Sequence, residues 1–394
     1  MEKYIPKSDF FYELPESKIA FYPLEKRDQS KLLVYKDNVI TDAQFSSIDQ
    51  FIPENATLIF NETKVIPARL IFNAETKANI EIFCLQKISS KAARAEKWLC
   101  YVGNAKKWKQ EILELKNDDD ELRAAVIAKV DDAFEIEFSW NSNKTFYQLL
   151  DVFGATPLPP YIKRKAEESD KSTYQTIFSK HEGSVAAPTA ALHFTDEVLE
   201  KLKHKGVDFL NVTLHVGAGT FKPIKSDNVL EHKMHEEWME LSRNTVEALT
   251  ANENGNLVPV GTTALRTLET LYWLGVKASV GKLHADTDLY FSQWEYEMLP
   301  QDISFKSAMD SLLKWMLEFN MENVCAKTQI MITPSYKIKT AKAIVTNFHQ
   351  PESTLLLLIA AFVGEAWKGI YKHAMSNDYR FLSYGDSSLL FLNK

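Results

Sequence analysis

Short apolar runs and alternating segments dominate the first 150 residues. Residues 32–35 and 57–60 are largely apolar runs with the length and composition of buried β-strands. Within 134–138, phenylalanine and isoleucine alternate with glutamate, which is the period of a half-buried strand. From about residue 73 to residue 150 the pattern is rich in strands and poor in helices. It predicts an inserted small all-β domain, either a barrel or a compact sandwich.

Beyond the proline-rich stretch 157–160, strands and helices alternate. Predicted strands at 207–216, 257–260 and 343–345 follow or lead into segments with helical spacing of apolar residues. This alternation predicts an α/β domain with mostly parallel strands.

Two helix starts carry capping signals. Thr195 is a predicted N-cap followed by two acidic residues, and Gly206 stands where that helix should end. Ser353 can cap a second helix, whose apolar segment 355–363 is about half the length of a membrane span. We therefore expect a buried helix there.

The change of pattern predicts a domain order. Residues 1–70 form the first part of a main α/β domain, 71–150 the inserted β-domain, and 151–394 the second part of the main domain. A segment of about 278–327 contains Trp294 and Trp315 and indicates an extra packed element.

Composition adds constraints to this picture. The chain has 394 residues, 45% of them hydrophobic, and a formal net charge of −7. An acidic balance counts against a nucleic-acid partner unless lysine and arginine are concentrated on one face. Candidate basic runs are Lys106, Lys107 and Lys109, and the run 163–165. Each run is either such a contact or an ordinary solvated patch.

The cysteines and the N-terminal segment indicate a cytoplasmic protein. Cys84, Cys100 and Cys325 are widely spaced and show no pairing pattern, which is typical of a reducing compartment and argues against a disulfide scaffold or a cysteine zinc site. The first residues lack the apolar core of a secretory signal, so we expect no membrane association.

Polar and glycine-rich clusters fall at the strand ends, where α/β domains bind ligands. Residues 215–220 include a Gly-x-Gly, which suits either a tight turn or a ligand cradle. Residues 261–263 stand at the predicted start of a helix, where they form either an anion-binding site or an ordinary N-cap. His232 and His235 are three residues apart, whereas zinc-binding helices usually space histidines by four, so we expect no metal site.

These clusters resemble, in order and spacing, the S-adenosylmethionine:tRNA ribosyltransferase-isomerase family of queuosine biosynthesis. Residues 61–70 read Asn-Glu-Thr-Lys-Val-Ile-Pro-Ala-Arg-Leu, where the family has Asn-Asp-Thr-Arg-Val-Ile-Pro-Ala-Arg-Leu. The similar segments span nearly the whole chain: 9–10, 12–15, 19–20, 22–23, 27–28, 61–70, 157–162, 174–176, 186–194, 214–221, 232–236, 261–269, 346–355 and 379–390.

The resemblance implies a barrel-like α/β main domain with an inserted small β-barrel. It implies that the ribosyl group of S-adenosylmethionine is transferred and isomerised onto 7-aminomethyl-7-deazaguanine in the tRNA anticodon. Epoxyqueuosine forms, and adenine and methionine leave. S-adenosylmethionine is then a co-substrate, and no metal or redox cofactor is implied. We also expect a monomer.

Site residues follow from the resemblance as hypotheses. His193, His215 and His235 are candidates for acid and base catalysis, because neutral imidazole serves both near pH 7. Arg266 is the candidate for the methionine carboxylate. The remaining substrate-binding candidates are Thr189, Gly217, Gly219, Thr262, Thr263, Asn347, His349 and Asp386. Arg69, Lys163 and Arg164 are candidates for tRNA phosphates.

Some positions depart from the family pattern. The segment 278–327 is longer than the family's usual connection, and it is either a structural elaboration or a change in RNA or substrate preference. Glu62 and Lys64 replace the usual Asp and Arg, Ser335 stands where many members have Gly, and Gln350 replaces a common Leu. Two alternatives therefore stay open. One is a paralogue that uses S-adenosylmethionine on another acceptor, and the other is a non-catalytic RNA-binding protein on the same fold.

Overall fold

The computed structural model of the protein describes six stretches of the chain, residues 4–73, 78–109, 111–221, 223–252, 255–285 and 289–393. The strands are β1 (Lys31–Lys36), β2 (Val39–Gln44), β3 (Thr57–Asn61), β4 (Thr63–Val65), β5 (Arg69–Asn73), β6 (Asn79–Ala92), β7 (Ala95–Gly103), β8 (Ile112–Lys116), β9 (Glu121–Val130), β10 (Ala133–Trp140), β11 (Gly154–Ala155), β12 (His181–Ser184), β13 (Asp208–His215), β14 (Glu237–Ser242), β15 (Leu257–Pro259), β16 (Leu289–Phe291), β17 (Asn323–Thr328), β18 (Ala343–Asn347) and β19 (Ser387–Phe391).

The α-helices are α1 (Phe146–Phe153), α2 (Asp170–Thr173), α3 (Asp196–His204), α4 (Arg243–Ala251), α5 (Thr262–Ser279), α6 (Phe305–Glu318), α7 (Thr354–Val363) and α8 (Ala366–Ser376). Short 3-10 helices lie between them, at Lys7–Phe10, Glu16–Lys18, Arg27–Gln29, Phe45–Gln50, Ala105–Lys107, Thr189–His193, Ala218–Phe221, Val229–Glu231 and Glu295–Met298. The protein is thus a mixed α/β protein with several sheets.

The chain divides into two compact units. The first contains Met1–Thr63, Thr176–Ser179 and Pro188–Lys394, and the second contains Lys64–Gln175 and Lys180–Ala187. The predicted inserted segment 71–150 lies within the second unit, which extends beyond it at both ends.

Two sheets form the framework of the first unit. One has the order β15-β3-β13-β14-β17-β16, and the other has the order β18-β19-β1-β2. The residue after β15 joins them, since Val260 forms a parallel bridge to Val345 and the amide of Gly261 donates to the carbonyl of Val345 at 2.7 Å. The end of β15, which leads into α5, therefore lies next to β18.

The prediction of mostly parallel strands is wrong. In these two sheets, β3 pairs in parallel with β13 and β15, but β14 is antiparallel to both β13 and β17. β1 and β2 form a hairpin in which Asp37 and Asn38 both have positive φ, the conformation of a type I′ turn. Alternation of strands and helices produces a parallel strand pair only where the connecting helix crosses over the sheet. Several connections in this protein do not cross over the sheet.

An aromatic cluster fills the core between β3 and the helix Thr189–His193. Phe194 lies 4.9 Å from both Phe45 and Phe60 in edge-to-face geometry, and all three rings are buried. Burying one such side chain contributes roughly 1.5–3 kcal/mol. The cluster holds the segment that carries His193 against the sheet.

The helix α5 runs through the interior of the first unit, with every residue from Thr262 to Val276 buried. It packs closely on α6, which belongs to the predicted extra element. A Cβ on Gly275 would lie 2.3 Å from the backbone oxygen of Ala308, so glycine is required for this approach. This close approach fixes α5 against α6.

The second unit contains a seven-stranded sheet in the order β11-β5-β6-β7-β10-β9-β8, in which every pair is antiparallel. Cys84 on β6 is directly opposite Cys100 on β7, and both thiols are free and buried. The spacing of the cysteines in the sequence did not indicate that Cys84 and Cys100 are neighbours. Cys325 in the first unit is free and exposed.

The predicted helix caps are confirmed. The side chain of Thr195 accepts from the amide of Val198, and Ser353 accepts from the amide of Leu356. Gly206, just beyond α3, has a φ of 78°. Among the described residues, no single helix has the length and apolar composition of a membrane span, and only α7 and α8 together, bent by 113°, meet that criterion.

Candidate active site

His193 is held in a buried polar network at the end of its 3-10 helix. Its Nδ1 lies 2.8 Å from Ser30 Oγ, and Asn347 Nδ2 lies 3.2 Å from its Nε2. Because an amide nitrogen only donates, Nε2 accepts, and Nδ1 carries the proton donated to Ser30. Burial lowers the pKa of His193 to about 4, against the opposing effect of the Asp386 carboxylate. The ring is therefore neutral near pH 7.

Three other predicted site residues surround His193. Thr189 donates to Asn347 Oδ1 at 3.3 Å, which orients the amide that contacts the imidazole. The buried Asp386 carboxylate accepts the backbone amides of Lys31 and Arg380 at 3.0 and 2.7 Å. It thereby fixes the two chain segments beside His193.

A second cluster forms around His235, at the start of β14. His235 Nε2 lies 3.1 Å from Oε1 of Glu237, and the same oxygen accepts from the Thr220 hydroxyl at 3.2 Å. The other oxygen, Oε2, forms a short ion pair with Arg266 Nη1. Burial alone would raise the pKa of Glu237, but Arg266 and His235 outweigh it and lower the pKa to about 2. Glu237 is therefore an anion near neutral pH.

Two predicted glycines leave room for the His235 ring. A Cβ on Gly219 would lie 2.4 Å from His235 Nδ1, and a Cβ on Gly217 would lie 3.5 Å from its Cδ2. Any side chain at position 219 would displace the imidazole. The Gly-x-Gly of the sequence thus packs against a histidine side chain.

Arg266 lines a small cavity beside His235. The cavity walls are otherwise mainly apolar, formed by Thr220, Met234, His235, Ile330, Ile332, Thr354, Leu355 and Leu358. The guanidinium is buried, and its Nη2 has no hydrogen-bond partner within the described part of the chain. A buried donor without a partner is costly, which indicates that this nitrogen is available to a ligand.

The remaining predicted residues of the first unit lie near these clusters. His215 Nδ1 is 2.7 Å from Thr63 Oγ1, and the ring stacks on Trp238 at 5.1 Å, as the pairing of β13 with β14 dictates. His349 Nε2 contacts the Thr346 hydroxyl at 2.9 Å, and burial lowers the pKa of His349 to about 3.

The buried first turn of α5 supplies Thr262 and Thr263. Gly261 precedes this turn with a φ of 94° and caps it without a side-chain hydrogen bond. The Thr263 hydroxyl has no partner among the residues that the structure describes. In the same residues there is no group of three or more histidine, cysteine or carboxylate side chains arranged to hold a metal ion.

The predicted tRNA contacts all belong to the second unit. Lys163 is exposed. Arg69 contacts Glu81 at 3.4 Å and stacks over Phe83. Arg164 forms two hydrogen bonds of 2.7 Å to the buried Asp170, so its guanidinium is engaged within the protein.

Glu237 and Ser30 are site residues that sequence reasoning missed. A signal for Glu237 was present, because Glu237, Met239 and Leu241 occupy alternate positions of one strand and all face inward. A carboxylate on the buried face of a strand requires charged or hydrogen-bonding partners. Ser30 carries no comparable signal, since a serine after a short turn is common.

Comparison with known proteins shows the family of this chain. The crystal structure of S-adenosylmethionine tRNA ribosyltransferase from Thermotoga maritima is 30% identical to this chain, with 98% of this chain and 100% of that chain covered and a TM-score of 0.47. The family model described as "Queuosine biosynthesis protein" matches residues 7–390. The chain therefore belongs to the queuosine biosynthesis protein family.

Proposed function

We propose that this protein is an S-adenosylmethionine-dependent tRNA ribosyltransferase-isomerase. It would act on 7-aminomethyl-7-deazaguanine at the tRNA wobble position and give epoxyqueuosine, adenine and methionine. The observation that carries the proposal is the family match over residues 7–390. The solved relative, an S-adenosylmethionine tRNA ribosyltransferase at 30% identity, supports the same transferase chemistry.

The reaction needs a base, an acid and fixed hydrogen-bond donors. The sulfonium of S-adenosylmethionine acidifies the adjacent ribose carbon, a general base removes that proton, and a general acid assists the departure of adenine. Charge that develops on the opened sugar requires donors already in place. Since the sulfonium itself supplies the activation, we propose that no metal or redox cofactor takes part.

Arg266 suits the carboxylate at the methionine end of the co-substrate. Arg266 Nη2 is an unpartnered cationic donor, and a carboxylate is the group that best complements it. The methylene chain that leads to the sulfonium would lie against Met234, Ile330 and Leu355. Thr262, Thr263, Gly217 and Gly219 would contact the same ligand.

The histidines differ in their suitability as base. His235 has Nδ1 directed away from Glu237, whereas the acceptor nitrogen of His193 is already occupied by Asn347. We therefore assign proton abstraction to His235, with His193 and His215 assisting departure and proton return. Thr189, Asn347, His349 and Asp386 would orient the ribose or the deazaguanine edge.

We assign tRNA backbone contact to the second unit. Lys106, Lys107 and Lys109 are exposed there, as is Lys163, and Arg69 is partly exposed. Arg164 would support this surface through Asp170. We further propose that the seven-stranded sheet closes as a small β-barrel inserted into a barrel-like main domain, because residues of its distant strands β5 and β8 come within 8 Å of each other.

The decisive test is turnover by the purified protein with S-adenosylmethionine and tRNA carrying the aminomethyl-deazaguanine base. We expect released adenine and a nucleoside with the mass of epoxyqueuosine. Binding of S-adenosylmethionine without either product would instead favour a different acceptor, and tRNA binding alone would favour an RNA-binding protein. Analytical ultracentrifugation and cell fractionation test the expected monomer and the cytoplasmic location.

Single variants test the histidine roles. His193→Gln, His215→Gln and His235→Gln should each lower kcat, and His235→Gln should lower it most, by about 10²–10⁴-fold. The exposed His204 on α3 offers the matched control His204→Gln, which should leave turnover unchanged. Near-normal turnover in all three folded site variants would rule out this assignment.

A further inference from the structure

Glu237 contacts His235 and Arg266 with two different oxygens. Oε1 accepts from His235 Nε2, from the Thr220 hydroxyl and, at 3.4 Å, from the amide of Gly217. Oε2 accepts from Arg266 Nη1. We propose that Glu237 is a positioning residue that fixes the proton of His235 on Nε2 and simultaneously orients the guanidinium of Arg266. Its effect on catalysis rests on the proposed function, but its effect on His235 does not.

The carboxylate is chemically suited to this double contact. Both partners are donors, and a carboxylate presents two acceptor oxygens at once. Glutamine at the same position would offer one acceptor and one donor group. It would therefore keep one contact and place an N–H against the other partner, which is unfavourable in a buried site.

For His235, the consequence is a defined tautomer. A proton held on Nε2 by Glu237 leaves the lone pair on Nδ1. Nδ1 lies against Gly219, where a Cβ would come within 2.4 Å of the nitrogen. The same contact that orients the ring thus makes Nδ1 the atom that can accept a proton from a ligand.

For Arg266, the consequence is a fixed orientation of the guanidinium. Glu237 holds Nη1 from one side, and the carbonyl of Ile330 accepts from Nε at 3.4 Å. Nη2 of the planar guanidinium is then left without a hydrogen-bond partner among the described residues, and Arg266 lines the cavity beside His235. Glu237 thereby couples the residue proposed as base to the residue proposed to hold the carboxylate.

The test compares two double variants that both lack the buried ion pair. Glu237→Gln with Arg266→Met keeps an acceptor for His235, whereas Glu237→Leu with Arg266→Met removes it. Neither leaves an uncompensated buried charge, so both should fold better than Glu237→Gln alone. The readout is the ¹⁵N chemical shifts of the His235 imidazole in the protein without ligand.

We expect a dominant Nε2–H tautomer in the wild type and the glutamine double variant, and a mixed population in the leucine double variant. Glu236→Gln, which changes the exposed neighbouring carboxylate, should match the wild type. Equal tautomer populations in the two double variants would overturn the positioning role.

Kinetics then separates this role from the proposed reaction. The glutamine double variant should raise the KM for S-adenosylmethionine at least 10-fold with a smaller loss in kcat, whereas the leucine double variant should lose a further 10-fold or more in kcat.

If the wild type forms no epoxyqueuosine while the tautomers differ as expected, the proposed function fails and the positioning role stands. If the wild type turns over but the double variants do not differ in kcat, the positioning role has no catalytic consequence and is overturned as proposed.

Discussion

Glu237 and Glu269 are two fully buried carboxylates in the same unit, yet their surroundings affect ionisation in opposite ways. Glu237 faces Arg266 and His235, and its pKa is lowered to about 2 despite burial. Glu269, on α5 three residues after Arg266, accepts hydrogen bonds from Tyr336, the Lys339 and Thr340 amides and the Thr340 hydroxyl. Burial raises its pKa, and these donors offset that only in part.

The difference teaches that the charge of the partners, more than their number, decides the ionisation of a buried acid here. Glu269 has several good hydrogen bonds and still favours the protonated form relative to water. Glu237 is in contact with a permanent cation and remains an anion. The first arrangement fastens α5 to the segment that follows Pro334, and the second keeps a charge available in the candidate active site.

Removing the cation should give the largest effect. Arg266→Met leaves Glu237 buried without a compensating charge, so we expect the free energy of unfolding to fall by about 3–5 kcal/mol. Urea unfolding at neutral pH measures the loss. The matched control is Arg243→Met, because Arg243 pairs with the exposed Glu322 and should contribute less than about 1 kcal/mol. Similar losses in the two variants would contradict the comparison.

The two carboxylates should give pH dependences of opposite sign. The folded-state pKa of Glu237 lies below the ordinary 4.5, so its stabilisation is present above pH 4.5 and is lost towards pH 2, by roughly 3 kcal/mol in all. The folded-state pKa of Glu269 is raised, so its contribution declines as the pH rises above 4.5. Unfolding free energies against pH, compared between wild type, Glu237→Gln with Arg266→Met, and Glu269→Gln, measure both slopes.

Neutralising Glu269 should cost less than breaking the ion pair. Glu269→Gln retains one acceptor oxygen but places an N–H among donors, so we expect a loss of about 1–3 kcal/mol in unfolding free energy. Calorimetric affinity for S-adenosylmethionine should stay unchanged, because neither Glu269 nor its hydrogen-bond partners line the cavity at Arg266. A loss of affinity comparable to that of Arg266→Met would remove the distinction between the two sites.

The smallest effect should come from one neutral donor. Thr340→Val removes the 2.7 Å hydroxyl contact to Glu269, while the backbone amide of Thr340 still donates at 2.9 Å. We expect a loss of about 1 kcal/mol in urea unfolding. A loss as large as that of Arg266→Met would show that neutral donors contribute as much as the cation does.

Local signals in the sequence were sufficient for much of the fold. Thr195 and Ser353 act as predicted caps because capping depends on a few neighbouring residues. The apolar segment 355–363 forms most of α7 and is buried. Strand direction was less predictable, because β14 pairs with β17 through residues that lie far apart in the sequence, as the pair Glu240↔Cys325 shows with a separation of 85 positions.

The candidate site shows the same limit. His193, Asn347 and Thr189 are distant in sequence, and the structure brings them into one network. Sequence reasoning named Arg266 as the candidate for binding the methionine carboxylate, but it could not show that Glu237 already holds one side of the guanidinium. Pairings of this kind depend on tertiary packing, which a single sequence does not encode locally.

The cysteines provide built-in reporters of local opening. Cys84 and Cys100 are buried opposite each other in the sheet of the second unit, whereas Cys325 is exposed on β17 of the first. A thiol reagent should therefore modify Cys325 directly and reach the other two only when strands β6 and β7 separate. In a Cys325→Ser background, the labelling rate of Cys84 and Cys100 would report local opening of the second unit alone, without any introduced probe.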